Sequence, residues 1–493
     1  MDNKILGINA TSYLFIAIII IASFLRLYNL IPVNNIGLPP GLYPDEAMNG
    51  NNAVEAIESG DYKIFYPENF GREGLFINIQ SLSIGVFGNT PWALRLPSAI
   101  FGILTVLGLY FMTKELGGSK KLALLTALLL ATSFWHIDFS RIGFRAIMAP
   151  FFMVWAVYFL TRSFRAGYYV LPALIGGLVY GLGFHSYIAY RATPLLILLI
   201  MGLVYWNNRG AIDIKIKSIF IIFILGTIIA ALPLGIYFLK NPLNFMGRTT
   251  GISVLNSTTP FKDLGMNILK TAGMFNFVGD FNWRHNIAGR PLLFWPVGIA
   301  FLMGIIISIK KFKKEFASPE LILFGWLLVA ALPVVISNEG MPHALRSIIM
   351  VPPVFIFAGI GMLAFYDFLK SKMNNRLLMI FSCVFLSLLV FEAYFSYFIR
   401  WGENPNVKNA FDYNDYIISW ELNNLPLETP KYVVVPGAGD VIQRDNPISL
   451  QSVLFLTDTF SAQKRAEKNF FYLNERQFES IKIPDNAKII KLP

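Results

Sequence analysis

Two adjacent acids stand where chemistry could be done, Asp45 and Glu46 in Gly41-Leu42-Tyr43-Pro44-Asp45-Glu46-Ala47. Pro44 suits the first position of a helix, because a helix start leaves its first N–H groups unbonded anyway. Both carboxylates then fall in the first turn, where two readings stand. They complement the helix dipole, for about 0.3–1 kcal/mol, or one of them serves as a base. The dipole depresses a carboxylate pKa and weakens the base, so a catalytic role requires burial to offset it. A second cluster follows, Phe70-Gly71-Arg72-Glu73-Gly74, and then Gly88-Asn89-Thr90-Pro91-Trp92-Ala93-Leu94-Arg95-Leu96-Pro97-Ser98-Ala99.

Further polar groups gather at the ends of apolar stretches. His136, Asp138, Arg141 and Arg145 form one set; His185, Tyr187, Tyr190 and Arg191 form another. Gly279-Asp280-Phe281-Asn282-Trp283-Arg284-His285-Asn286 and Arg290 form a third, and Asn338, Glu339, His343 and Arg346 a fourth. All four histidines of the chain lie in these sets.

The elements that must hold them are set by composition. Of 493 residues 55% are hydrophobic and 14% charged, with mean hydropathy +0.55. A soluble globular chain carries about 25% charge, so an ordinary cytosolic enzyme is excluded and an all-α polytopic membrane protein is expected. Cys383 is the single cysteine. An intrachain disulfide and a thiolate zinc site are therefore excluded. A membrane helix needs about 20 mostly apolar residues. Eleven stretches qualify: 11–30, 97–114, 122–136, 146–162, 169–186, 193–206, 218–239, 292–309, 320–337, 347–367 and 377–398. The first runs into Arg26-Leu27-Tyr28 without a small-residue cleavage site, which argues against a cleaved signal peptide.

The net charge is 41 − 30 = +11. In a membrane protein that excess collects in cytoplasmic loops and does not imply nucleic acid. With the N-terminus inside, the cytoplasmic segments carry Lys114, Lys120, Lys121, Arg162, Arg165, Arg209, Lys215, Lys217, Lys310, Lys311, Lys313, Lys314, Lys370, Lys372 and Arg376. The alternation holds at every loop. It places the protein in the cell membrane as a multi-pass chain with its C-terminus extracytoplasmic. Residues 1–399 then form a transmembrane domain with long outer loops at 31–96 and 240–291. Residues 400–493 are polar and read as a small extracytoplasmic α/β domain. They hold a helix-like stretch from Asn409 to Asn424 and a strand, Tyr432–Val435, ending at Pro436-Gly437.

Positive-inside bias should clear short outer loops of arginine, yet Arg141, Arg145, Arg191 and Arg346 remain. A shared anionic ligand at the outer interface explains them. Arginine meets phosphate with fork geometry, and such bonds contribute about 1.5–3 kcal/mol each. Pairing with lipid headgroups or local acids is the competing account. Signatures of P-loop, zincin and α/β-hydrolase chemistry are lacking. Gly177-x-x-x-Gly181 reads as close helix packing.

The Tyr-Pro-Asp45-Glu46-Ala start, the Ala93-Leu94-Arg95-Leu96-Pro97-Ser98-Ala99 segment and Ser140-Arg141-Ile142-Gly143-Phe144-Arg145 together resemble the GT-C glycosyltransferases. More narrowly they are similar to family 39-like protein O-mannosyltransferases and the aminoarabinose transferase of lipid A. The resemblance covers about residues 10–400. It implies transfer of a sugar from a polyprenyl-phosphate donor, on the extracytoplasmic face, with inversion. Asp45 matches the catalytic acidic position and Glu46 its neighbour. Arg72-Glu73-Gly74 departs from the commoner His-Pro-Pro type. Ala146-Ile147-Met148 stands where some relatives carry an acid, so an Asp-x-Asp metal site is not expected.

What the resemblance implies for mechanism is direct displacement with Asp45 as general base. Arg95, Arg284 and Arg346, helped by His285 and His343, would hold the donor phosphate. Glu73 would orient the acceptor or bind an optional divalent cation, with no cofactor required. Arg72, Tyr43, Tyr187 and Arg191 join the sugar and acceptor side. The acceptor is a lipid, a glycan or a protein. A transporter or flippase of lipid-linked sugars is the alternative, and the charges at span ends with unmatched halves speak against it.

Overall fold

A computed structural model describes residues 10–32, 37–208, 213–246, 251–312, 319–435, 442–443 and 446–492. Arg209, Lys313, Lys314 and Pro436-Gly437, used above, lie outside the described residues. Each of the eleven apolar stretches contains a helix. These are Ala10–Leu27, Pro91–Glu115, Lys120–Ala131, Met148–Arg165, Val170–Gly183, Pro194–Asn207, Ile214–Lys240, Trp295–Phe312, Pro319–Val335, Val351–Lys372 and Asn375–Tyr394. With their flanking turns, six segments among the described residues are long and apolar enough to cross a membrane: Pro91–Glu115, Arg145–Arg165, Ile188–Asn207, Ile214–Lys240, Ile348–Lys372 and Asn375–Trp401.

The helix expected at 97–114 starts earlier, at Pro91, and one stretch is interrupted. The run 122–136 breaks after Ala131, and a new helix, Phe134–Phe139, begins. Ser133 causes the restart, since its side chain accepts from the His136 N–H at 3.4 Å and so caps the second helix. His136 and Asp138 therefore sit on a separate short helix.

The described residues group into two compact units. The first holds residues up to 28, 98–140 and 145–400. Here Val170–Gly183 packs on Ile214–Lys240 and Met148–Arg165, and Trp295–Phe312 packs on Val351–Lys372. A Cβ built on Gly177 would lie 2.2 Å from the Phe223 carbonyl oxygen. Only glycine allows that approach, which is the close packing the small-residue spacing predicts. Gly177→Leu is expected to destabilise the pair by about 1–3 kcal/mol, read as a lowered melting temperature in detergent. Arg26 is fully buried and donates to the Ala22 and Ala131 carbonyls, each at 3.1 Å. It thereby satisfies a carbonyl that the end of Lys120–Ala131 leaves open.

The second unit holds 29–97, 141–144 and 401–493. Its helices Pro44–Ser59 and Gly74–Phe87 flank an antiparallel pair, Phe65–Tyr66 with Arg72–Glu73. Its sheet is parallel, with Lys431–Val435 between Phe470–Asn474 and Lys488–Lys491. Val433, Val435, Leu450, Val453, Leu454 and Phe470 form the core beneath it. A second core joins Leu42, Ala47, Val54, Tyr66, Ile77 and Leu94 to Phe455.

The expected helix from Asn409 to Asn424 is two helices, Pro405–Ala410 and Tyr413–Asn423. Asp412 sits between them at φ 45°, a left-handed conformation that Asp tolerates and a continuous helix does not. Gly41 stands at φ 71°, and a Cβ there would meet the Phe411 carbonyl oxygen at 2.3 Å. Asp415, in the first turn of the second helix, is pushed up from 3.8 to about 7 by burial and by the Asp412 charge. Folding thus favours its protonated form. The stability it contributes is complete below about pH 4 and is lost as pH rises through about 7. Asp415→Asn is expected to raise the melting temperature at pH 8 and flatten its decline between pH 5 and 8.

Candidate functional site

Both units supply candidate residues. In the second unit, Pro44 occupies the first helical position and Tyr43 precedes it in an extended conformation. Asp45 and Glu46 then share the first turn, but their surroundings separate them. Glu46 is fully buried. Its carboxylate accepts Arg95 Nε and Nη2, both at 2.8 Å, and the Gly143 N–H at 2.6 Å. Arg95 also donates to the carbonyls of Pro39 (2.7 Å) and Gly41 (3.0 Å). It lies over the Phe411 ring at 5.7 Å. Arg95 is 2% exposed, so its fork is committed to pinning the segment before the Pro44 helix. Arg141, also buried, donates to the Leu38 carbonyl at 2.9 Å.

Asp45 is half-buried, and Asn69 donates to its Oδ1 at 2.8 Å. Asn69, Phe70 and Gly71 are successive residues at φ 51°, 63° and 90°. A phenylalanine at positive φ is strained backbone, of the kind that collects at functional sites. Phe70 is exposed. Arg72 is buried and donates to Asn49 Oδ1 (2.7 Å) and Asn52 Oδ1 (2.5 Å), with Glu68 at 3.7 Å. Asn49 in turn donates to the Gly143 carbonyl at 3.1 Å. Glu73 is 1% exposed at the start of Gly74–Phe87. The unit thus brings together Tyr43, Asp45, Glu46, Arg95, Arg72 and Glu73. Among these, Glu46 and Arg95 are buried and tied to each other, whereas Asp45 is only partly buried.

In the first unit, Asp280 Oδ1 accepts the Asn282 N–H at 2.8 Å, and Oδ2 accepts the Ala344 N–H at 2.8 Å. His285 Nδ1 is 3.0 Å from that same Oδ2, and His343 Nδ1 is 3.9 Å from it. The two imidazoles have ring centres 5.1 Å apart. Arg284 Nε donates to Asn282 Oδ1 at 3.2 Å. Arg346 holds Glu339 Oε2 at 2.7 Å and also bonds Ser337. Tyr187 faces Arg145, whose guanidinium lies 5.8 Å from the ring centre. Arg191 stacks on Phe238 and Phe245 at 4.9 and 4.8 Å. His285, His343, Arg284 and Arg346 are therefore gathered; Tyr187 and Arg191 belong to a separate turn, Ile188–Ala192.

A groove of about 570 Å³ in the same unit is walled by Phe277, Leu293, Phe294, Trp295, Leu302 and Phe395, with Arg290 and Arg400 at its polar side. Arg290 bonds Glu392 and donates to Ser396 at 2.8 Å. Sequence reasoning missed Asn69, Phe70 and the part played by Asp280. The Asn69 partnership depends on backbone angles that no spacing displays. Asp280, five positions before His285 in a turn-forming segment, did carry a signal.

Residues 69–247 match the family model described as dolichyl-phosphate-mannose-protein mannosyltransferase. An uncharacterized protein of Aquifex aeolicus is 26% identical over 153 residues, 30% of each chain. The oligosaccharyltransferase of Archaeoglobus fulgidus, in its apo form, aligns with 95% of this chain at TM-score 0.55 and 14% identity. This chain spans 65% of that enzyme's length and about a third of the Aquifex protein's. ArnT from Cupriavidus metallidurans, bound to undecaprenyl phosphate, aligns with 95% of this chain and 91% of its own at TM-score 0.53 and 13% identity. At such identities the likeness to the solved structures is one of fold. The chain is thus a helical multi-pass membrane protein that shares its fold with these solved structures, and its residues 69–247 match the protein mannosyltransferase family model.

Proposed function

We propose that the protein transfers a sugar from a polyprenyl-phosphate donor to an acceptor hydroxyl, with Asp45 as general base, on the extracytoplasmic side of the membrane. The observation that carries this reading is the unequal treatment of the two acids. Glu46 is sealed against Arg95, while Asp45, one residue earlier, is only partly buried and accepts a hydrogen bond from Asn69. A base must reach the proton it removes, and partial exposure favours Asp45 over the buried Glu46 for that task. Glu46 and Arg95 are positioning residues in this reading. The assignment of Arg95 to the donor phosphate is replaced, because its donors are already bonded.

The reaction is a direct displacement. The acceptor oxygen gives its proton to Asp45 and bonds the anomeric carbon, and the carbon–oxygen bond to the phosphate breaks on the opposite face. The leaving phosphate needs charge stabilisation more than a proton. Arg284 and the two imidazoles remain the candidates for that task, whereas Arg346, bonded to Ser337 and to the carbonyl and carboxylate of Glu339, is withdrawn on the same ground as Arg95. Phe70, Tyr43 and Tyr187 are apolar faces against which a sugar ring can stack. The aromatic groove with Arg290 and Arg400 matches the chemistry of a lipid phosphate. Each buried CH₂ of such a lipid contributes about 0.8 kcal/mol. Support also comes from the bound undecaprenyl phosphate of the Cupriavidus enzyme. Glu73, buried at a helix start, keeps the acceptor-orienting role.

The test is purified protein in lipid nanodiscs with labelled polyprenyl-phosphate mannose or aminoarabinose, followed by release of the lipid phosphate and the anomeric configuration of the product. Inverted product is expected. Movement of intact donor across vesicles without transfer would overturn the reading in favour of a flippase.

A further inference from the structure

We propose that Asp280, His285 and His343 form a binding site for a zinc-like divalent cation. It takes up the two imidazoles given above as phosphate candidates and assigns them to a cation instead, and its test reads metal binding and not transfer. One ligand atom from each of Asp280, His285 and His343 lies within 4.8 Å of the other two. Zinc takes carboxylate oxygen and imidazole nitrogen at about 2.0–2.2 Å in tetrahedral geometry. That places neighbouring ligand atoms about 3.3 Å apart. The distances from Oδ2 are 3.0 and 3.9 Å, on either side of that value. Small side-chain rotations therefore complete the site.

Burial supplies a second argument. Asp280 is 3% exposed and His285 6%. Among the described residues Asp280 has no lysine or arginine partner, and the two imidazoles are its only basic neighbours. A buried carboxylate in that state is costly unless a positive charge meets it. The ligands are also held from behind, as metal ligands commonly are. The Ala344 N–H fixes Oδ2 and the Asn282 N–H fixes Oδ1. Trp135 Nε1 bonds the Ala344 carbonyl at 3.1 Å. The Arg346 N–H donates to His343 Nδ1 at 3.5 Å, a long bond that ligation through that nitrogen would replace. Two imidazoles with one carboxylate favour zinc, cobalt or nickel over magnesium or calcium, which prefer oxygen ligands. Three protein ligands leave a fourth position for water or an anion oxygen.

The experiment uses the full chain, purified in detergent, stripped with EDTA and titrated with zinc chloride by calorimetry. One zinc per chain is expected, with a raised melting temperature. X-ray absorption of the loaded protein is expected to show two imidazoles and oxygen ligands. His343→Ala and His285→Ala are each expected to weaken binding about 100-fold or more, whereas His185→Ala leaves it unchanged. Absence of stoichiometric zinc, or a spectrum without two imidazoles, overturns the proposal even if a variant fails to fold. Unaltered affinity in the double variant His285→Ala/His343→Ala does the same.

Discussion

Asp45→Asn is expected to lower glycosyl transfer by about 10²–10⁴-fold, the range a positioned general base contributes, while the melting temperature stays near that of the unmodified chain. The amide keeps the shape of the side chain and can still meet Asn69 by rotating its own group. What it loses is the capacity to take the acceptor's proton. Asp45 is half-exposed, so the exchange uncovers no buried charge and the stability cost is small. The measurement is turnover with the labelled donor, alongside thermal unfolding of the same preparation. A variant that folds and transfers at near the original rate would remove Asp45 from the base role. Glu46→Gln separates the two acids. It is expected to lower activity only together with stability, because its carboxylate is tied to Arg95.

The largest stability effect is expected at Arg95. Arg95→Ala leaves the buried Glu46 charge without its partner and two carbonyls, of Pro39 and Gly41, without their donor. Removing one member of a buried ion pair costs about 3–5 kcal/mol, a large share of the roughly 5–15 kcal/mol that holds a domain folded. Arg95→Lys is not expected to rescue it, since an ammonium cannot reproduce the fork that reaches both carboxylate oxygens. The double variant Glu46→Leu/Arg95→Met should recover part of the loss, because no charge is then stranded. Recovery stays incomplete, because the Gly143 N–H and both carbonyls lose their partners. Thermal unfolding in the absence of donor is the measurement. A normal melting temperature combined with weakened donor use would return Arg95 to the phosphate-binding role.

The helices were legible because their signal is local. Eleven apolar runs, the Pro44 helix start and the Tyr432–Val435 strand follow from hydropathy, proline geometry and β-branched residues. Ser133, which restarts the chain as Phe134–Phe139, was equally local but lay inside an apolar run that concealed it. The pairing of Glu46 with Arg95 is another matter. A conserved-looking spacing cannot separate an arginine that binds phosphate from one that binds its own protein; that depends on which carbonyls surround it, here those of Pro39 and Gly41. Likewise Asp412 breaks a helix for reasons that lie in its left-handed backbone, and the meeting of Asp280 with His343 depends on two loops far apart in sequence.

Asn51 bonds Gln451, 400 positions later, and Ser452 bonds the Leu42 carbonyl, 410 positions back. On the ribosome the Pro44 helix therefore emerges long before the segment that covers it. Its polar face and its Leu42, Ala47 and Val54 must wait, without their cover, while every membrane helix is threaded. Insertion order and maturation order diverge: the segment bearing Asp45 is made some 400 residues before the stretch that completes its packing, so its final form is gated by the arrival of distal residues.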